Sequence, residues 1–154
     1  MKILITRKIP NRGINLLKEK GYEITISPHD RVLLKEELIE YLQKDRYDAV
    51  LCLLTDKIDD EIFEAAGPQC KIFANYAVGF DNIDREAAKK RGIIITNTPD
   101  VLTETVAEHT FALMLAIAHH VAEADRFTRA GKYTGWAPML LLGNDLSHKT
   151  VGIV

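Results

Sequence analysis

The chain has 154 residues, 47% of them apolar, and its 20 basic and 22 acidic residues leave a formal net charge of −2. That is the size and composition of one ordinary globular domain with room for a sizeable core. The charges are interspersed, with no run of five like charges and no basic stripe interleaved with aromatics, so neither nucleic acid nor an acidic membrane is an expected partner, while a small anion is.

The N-terminus passes directly into Lys2-Ile3-Leu4-Ile5 without the charged region, long apolar stretch and cleavage site of a secretory signal. A cytoplasmic location is the resulting expectation. Short apolar runs at Ile3 to Thr6, Glu23 to Ser27, Ala49 to Leu54, Ile72 to Tyr76 and Ile93 to Thr96 read as strands. The second alternates Tyr22, Ile24 and Ile26 and reads as a half-exposed edge, whereas the third is apolar nearly throughout and reads as central.

Between these runs the apolar residues fall three and four apart: Ile14 and Leu17; Leu34, Leu38, Ile39 and Leu42; Ile62, Phe63 and Ala66; Ile83, Ala87 and Ala88. Such spacing predicts amphipathic helices, ended by Gly21, Gly67 and Gly92 and, for the third, begun by Asp59 as N-cap. Strands alternating with helices predict an α/β fold, a doubly wound five-stranded parallel sheet over residues 1–100. Cys52 and Cys70 lie in or beside apolar runs without metal-ligand spacing and read as reduced core residues.

After Pro99 the pattern changes. Thr103 is a candidate N-cap and Glu104 suits the positive end of the helix that follows, so one long helix is predicted from Glu104 to Ala130, with Gly131 ending it. Its first half is apolar almost all round, which calls for burial between domains or subunits, and residues 101–131 form a second segment on this reading. The run Phe111 to Ala118 is interrupted by His119-His120 and is too short to span a bilayer. His109, His119 and His120 match no HExxH-like pairing and read as structural. Residues 132–154 read as an ordered connection leading into a strand at Lys149-Thr150-Val151-Gly152-Ile153-Val154, which is expected to continue past the end of the chain.

Four stretches, Asn75 to Asp84, Thr96 to Glu108, the connection Gly135-Trp136 to Leu142-Gly143, and Leu146 to Val154, occur in this order. Together they make the chain resemble the D-isomer-specific 2-hydroxyacid dehydrogenases of the glyoxylate/hydroxypyruvate reductase type. The resemblance implies a flavodoxin-like substrate-binding domain, a long interdomain and dimerisation helix, and the start of a Rossmann domain whose glycine loop is not in this sequence. It implies that the Val78 and Gly79 amides hold a substrate carboxylate; glycine there also fits a plain tight turn. It suggests that Leu53 or Leu54 lines a small pocket at the carboxyl edge of the sheet, though each leucine taken alone reads as plain core. Thr103 and Val106 would face the cofactor, or only cap and pack. Trp136 would reach into a partner subunit's active site, or anchor an interface.

The implied function is interconversion of small 2-oxo acids such as glyoxylate and hydroxypyruvate with D-2-hydroxy acids, using NAD or NADP. GxGxxG occurs nowhere in the chain, and the family's catalytic arginine, acid and histidine belong beyond it. The chain itself is therefore expected to be inactive, to hold no cofactor or metal, and to pair as a homodimer through residues 104–154. His148 stands where the family usually has glycine, which either strains the turn into the strand or is tolerated there. The alternative is an isolated flavodoxin-like fold or dimerisation module without a ligand. Flavin and phosphoacceptor readings fail on Arg7-Lys8-Ile9-Pro10-Asn11 after the first strand, which is neither a Ser/Thr/Gly-rich phosphate loop nor an acidic cluster.

Overall fold

A computed structural model describes residues 1–153 of the chain. They fall into two compact units, Met1–Val101 and Leu102–Val154. In the first, strands β1 (Lys2–Ile5), β2 (Glu23–Ile26), β3 (Ala49–Leu53), β4 (Ile72–Tyr76) and β5 (Ile94–Thr96) alternate with helices α1 (Asn11–Glu19), α2 (Lys35–Lys44), α3 (Asp60–Ala66) and α4 (Arg85–Arg91). All strand pairs are parallel and the sheet order is β2-β1-β3-β4-β5. The edge position of β2 and the central position of β3 match the alternating and the continuous apolar pattern.

Because successive side chains of a strand leave opposite faces, each strand feeds two cores. Leu4, Val50, Cys52 and Phe73 pack under α2, α3 and α4, where Phe63 and Phe73 meet edge to face at 5.0 Å. Ile3, Ile5 and Ala49 pack on the other face under Ile14 of α1, with Leu17, Ile24, Ile26, Leu51 and Ile72 around them. The sheet is thus wound on both faces, an arrangement right-handed crossovers impose once the strand order reverses beside β1.

Local chemistry sets most helix ends. Asp59 accepts from the Ile62 amide and Asp84 from the Ala87 amide at the starts of α3 and α4. Gly92 closes α4 in the left-handed conformation, and Gly21 and Gly67 also take positive φ. Ile83 differs from its prediction: it precedes α4 and bridges Ile58. Cys52 and Cys70 are buried free thiols, and burial, followed by the nearby Asp56 carboxylate, pushes the Cys52 thiol up to about 12.

The second unit contains α5 (Thr103–Ala118) and α6 (Val121–Arg129), not one helix from Glu104 to Ala130. His120 sits in the left-handed region at φ 53, and the Ala118 carbonyl, which a continuing helix would use four residues on, accepts from the Asn144 amide at 2.8 Å. Gly143 permits this approach, since a Cβ there would lie 2.5 Å from the Ala118 oxygen. Thr103 is not an N-cap: Leu102 already has helical φ/ψ at the cap position and no side chain caps the helix. Gly131 ends α6 with φ 68, as expected. Residues 149–153 form no strand, because a parallel strand exists only against a neighbour and none flanks them among the described residues; Val154 lies outside those residues. His148 does take φ 59, the left-handed conformation that favours glycine. Among the described residues no helix is long and apolar enough to cross a membrane.

Candidate functional site

At the carboxyl edge of the first unit, β3 and β4 end in register at Leu53 and Tyr76. Open parallel sheets place ligands in crevices at this edge. Two loops leave it: Leu54 to Ile58 after β3, and Ala77 to Ile83 after β4. Leu53 is half-buried, and Leu54 lies beyond the strand and is largely exposed.

Side chains that the sequence reading did not single out tie the loops together. Asn75, 2% exposed, donates through Nδ2 to the Gly79 carbonyl at 2.9 Å and to Asn82 Oδ1 at 3.0 Å. Asn82 donates in turn to the carbonyls of Leu53 at 3.1 Å and Asp56 at 3.0 Å. The buried Asp56 carboxylate receives the Thr6 hydroxyl at 2.5 Å and the Leu53 amide at 2.9 Å. Ile58 and Asn82 complete the tie, with the Ile58 amide donating to the Asn82 carbonyl at 2.8 Å. Such satisfied buried networks are rigid, since breaking any member strands a desolvated partner.

This frame sets the backbone of the second loop one peptide at a time. The Ala77 carbonyl accepts from the Thr98 amide at 2.9 Å, and the Val78 carbonyl accepts from Asn97 Nδ2 at 2.8 Å. The next two carbonyls, of Gly79 and Phe80, accept from Asn75 Nδ2 and from the Ile83 amide at 2.9 and 3.0 Å. Every peptide bond among the described residues is trans, so each N–H points opposite to the carbonyl of its own peptide plane. Carbonyls of Ala77 and Val78 turned to partners on the β5 side therefore turn the amides of Val78 and Gly79 away from it. Neither amide donates to any acceptor among the described residues. Val78 and Gly79 are both exposed, and a Cβ on Gly79 would meet no atom within 4 Å. Gly79 does not use positive φ, so its contribution is open space above two outward donors and not an unusual turn. Two adjacent outward amides present a partial positive charge suited to an anion.

The other sequence-predicted residues lie in the second unit. Thr103 and Val106 are exposed on the first turn of α5, where Val106 keeps 58% of its surface and its carbonyl also accepts from the Thr110 hydroxyl at 2.7 Å. Trp136 is 82% exposed and lines a concavity with Phe127, Tyr133 and Leu140. His120 pairs with Glu123 at 3.1 Å, and His119 ends α5. Among the described residues no group of three or more His, Cys, Asp or Glu side chains is arranged to hold a metal ion.

The model of the D-isomer specific 2-hydroxyacid dehydrogenase catalytic domain matches residues 3–137. The chain is 48% identical to a glyoxylate reductase from Pyrococcus furiosus, an alignment covering 99% of this chain and 46% of that protein. It spans about half the length of the curated relatives it matches. Among solved structures, the TT0316 protein from Thermus thermophilus superposes with a TM-score of 0.86 at 39% identity, over 95% of this chain and 46% of that one. A candidate D-isomer specific 2-hydroxyacid dehydrogenase, NAD-binding, from a Polaromonas species superposes with a TM-score of 0.88 at 29% identity, over 96% of this chain and 45% of the other.

Proposed function

The chain belongs to the D-isomer specific 2-hydroxyacid dehydrogenase family, and from that premise we propose that it is the substrate-binding part of an NAD(P)H-dependent reductase of small 2-oxo acids such as glyoxylate and hydroxypyruvate. The carboxylate of the acid sits on the amides of Val78 and Gly79. The observation that carries this assignment is the outward pair of unaccepted donors, held by carbonyls engaged on the opposite side. Leu53 supplies apolar surface beside the carboxylate and favours a short substrate.

Reduction of a 2-oxo acid requires a hydride at the carbonyl carbon and a proton at its oxygen, and the nicotinamide cofactor supplies the hydride. The residues present do not make a dinucleotide site: the chain has no GxGxxG, and Thr103 and Val106 offer only an exposed helical turn. The role of this chain is therefore to bind and orient the acid. By itself it is inactive toward glyoxylate with NADH or NADPH, and it works in the cytoplasm. The family resemblance further assigns Thr103 and Val106 to cofactor contact and Trp136 to a partner subunit's site. Pairing as a homodimer through residues 104–154 is supported by the apolar side chains of Phe111, Leu113, Leu115 and Ile117, all exposed on α5.

Calorimetric titration with oxalate, a stable dicarboxylate analogue of the substrate, tests the site. Gly79→Ala adds a methyl group in open space at an ordinary φ, so the variant folds with an unchanged melting temperature. It is expected to weaken oxalate binding at least tenfold, about 1.4 kcal/mol. Equal binding by the two proteins would remove the carboxylate from Gly79.

A further inference from the structure

The Thr96-Asn97-Thr98-Pro99 stretch follows β5, and its Asn97 has no place among the substrate or cofactor contacts assigned above. Its side chain crosses to the neighbouring loop and donates to the Val78 carbonyl at 2.8 Å. That carbonyl belongs to the same peptide plane as the Gly79 amide. A rotation of this plane would replace the amide by the carbonyl and present the negative end of the peptide dipole to the anion. The adjacent planes are held differently: the Thr98 backbone amide fixes the plane of the Val78 N–H, and Asn75 fixes the plane of the Phe80 N–H. The Thr98 donor belongs to the backbone and not to a side chain, and Asn75 is buried, whereas Asn97 is a half-buried side chain at the edge of the sheet. Only through Asn97 does a single side chain control which end of the Val78–Gly79 peptide faces the ligand.

We propose that Asn97 is a positioning residue of the carboxylate site, holding the Gly79 amide outward by engaging the Val78 carbonyl. This rests on the carboxylate reading of Val78 and Gly79. Asparagine suits the task because its Nδ2 donates, while the isosteric aspartate only accepts when ionised and would face the carbonyl with like polarity. Free rotation of the plane would lower affinity by the fraction of time the amide is turned away.

The test compares the chain with Asn97→Asp and Asn97→Ala in two measurements. Without ligand, NMR of the wild type is expected to show a single conformer at Gly79, and both variants exchange broadening at the Gly79 amide together with a shifted Val78 carbonyl carbon. With oxalate, calorimetry is expected to show affinity falling at least tenfold in Asn97→Asp and less in Asn97→Ala, which removes the donor without adding a repelling charge. An unchanged melting temperature in Asn97→Ala keeps that variant interpretable if Asn97→Asp folds poorly. Affinities within twofold of wild type in a folded variant would overturn the proposal, as would a Gly79 amide that does not respond. A wild type that fails to bind oxalate, with Gly79 still loosened in the variants, would instead overturn the carboxylate reading on which the proposal stands.

Discussion

Glu37 engages both its neighbours at once: its two carboxylate oxygens receive the Arg31 guanidinium at 2.7 and 2.8 Å, and one also receives the Leu34 amide at 2.8 Å. The Arg31 guanidinium first, and the Leu34 amide second, hold this carboxyl at about 2, below its usual 4.5. The stabilisation it provides is therefore complete above pH 4.5 and is lost as the pH falls toward 2. Carbon-detected NMR of the Glu37 carboxyl should give a midpoint near 2, and the stability gap between wild type and Glu37→Gln should close over that same window. A midpoint at 4.5 would mean that the ion pair does not persist in solution. At this scale some residues are legible in the sequence and others are not. Asp59 is an N-cap because its side chain meets an amide three residues on, a local rule visible in sequence. Asn75, Asn82 and Asn97 act across 4 to 29 residues and between strands, and nothing in their immediate sequence separates them from ordinary loop asparagines. Of the two liberties glycine offers at position 79, positive φ and close approach to the backbone, the structure shows no positive φ and leaves open space where a side chain would be.

The elements of the first unit are legible because strand and helix periods are local: the predicted strands agree with the observed ones to within one residue at each end. The break between α5 and α6 is not, since neither glycine nor proline marks it. Its cause lies in the connection that follows, where Asn144 takes the Ala118 carbonyl and Gly143 allows the approach. Gly143→Ala would drive a Cβ to 2.5 Å from the Ala118 oxygen and 2.9 Å from the His119 Cα, both backbone atoms that cannot swing aside. The expected cost to this corner is about 1 to 3 kcal/mol. Hydrogen exchange at the Asn144 amide should then accelerate at least tenfold, while β3 and β4 keep their protection. Unchanged Asn144 protection would show that the corner does not depend on this contact. The strand expected at Lys149 is absent for a related reason: its sequence pattern is strand-like, but pairing is non-local and no neighbouring strand is present among the described residues.

For the whole molecule, the two units differ in how much apolar surface they bury. Among the described residues every buried one lies in the first unit and none in the second. α5 carries Val106, Phe111, Leu113, Leu115 and Ile117 exposed, an apolar face of the kind that marks interaction surfaces. Light scattering is expected to give twice the 17.3 kDa mass of one chain, and Leu113→Glu with Ile117→Glu to return it to that of the monomer. A monomeric wild type would place the covering of α5 elsewhere. On the proposed reading the carboxylate site lies at the sheet's carboxyl edge, where the parallel topology brings the ends of β3 and β4 together beside Leu53, Val78 and Gly79. The most direct test is a nitrogen–proton NMR titration of the chain with oxalate. The Val78 and Gly79 amides are expected to shift first and furthest, moving downfield as they donate to the carboxylate. Saturating oxalate that leaves both amides in place, or moves others more, would contradict a carboxylate site at this turn.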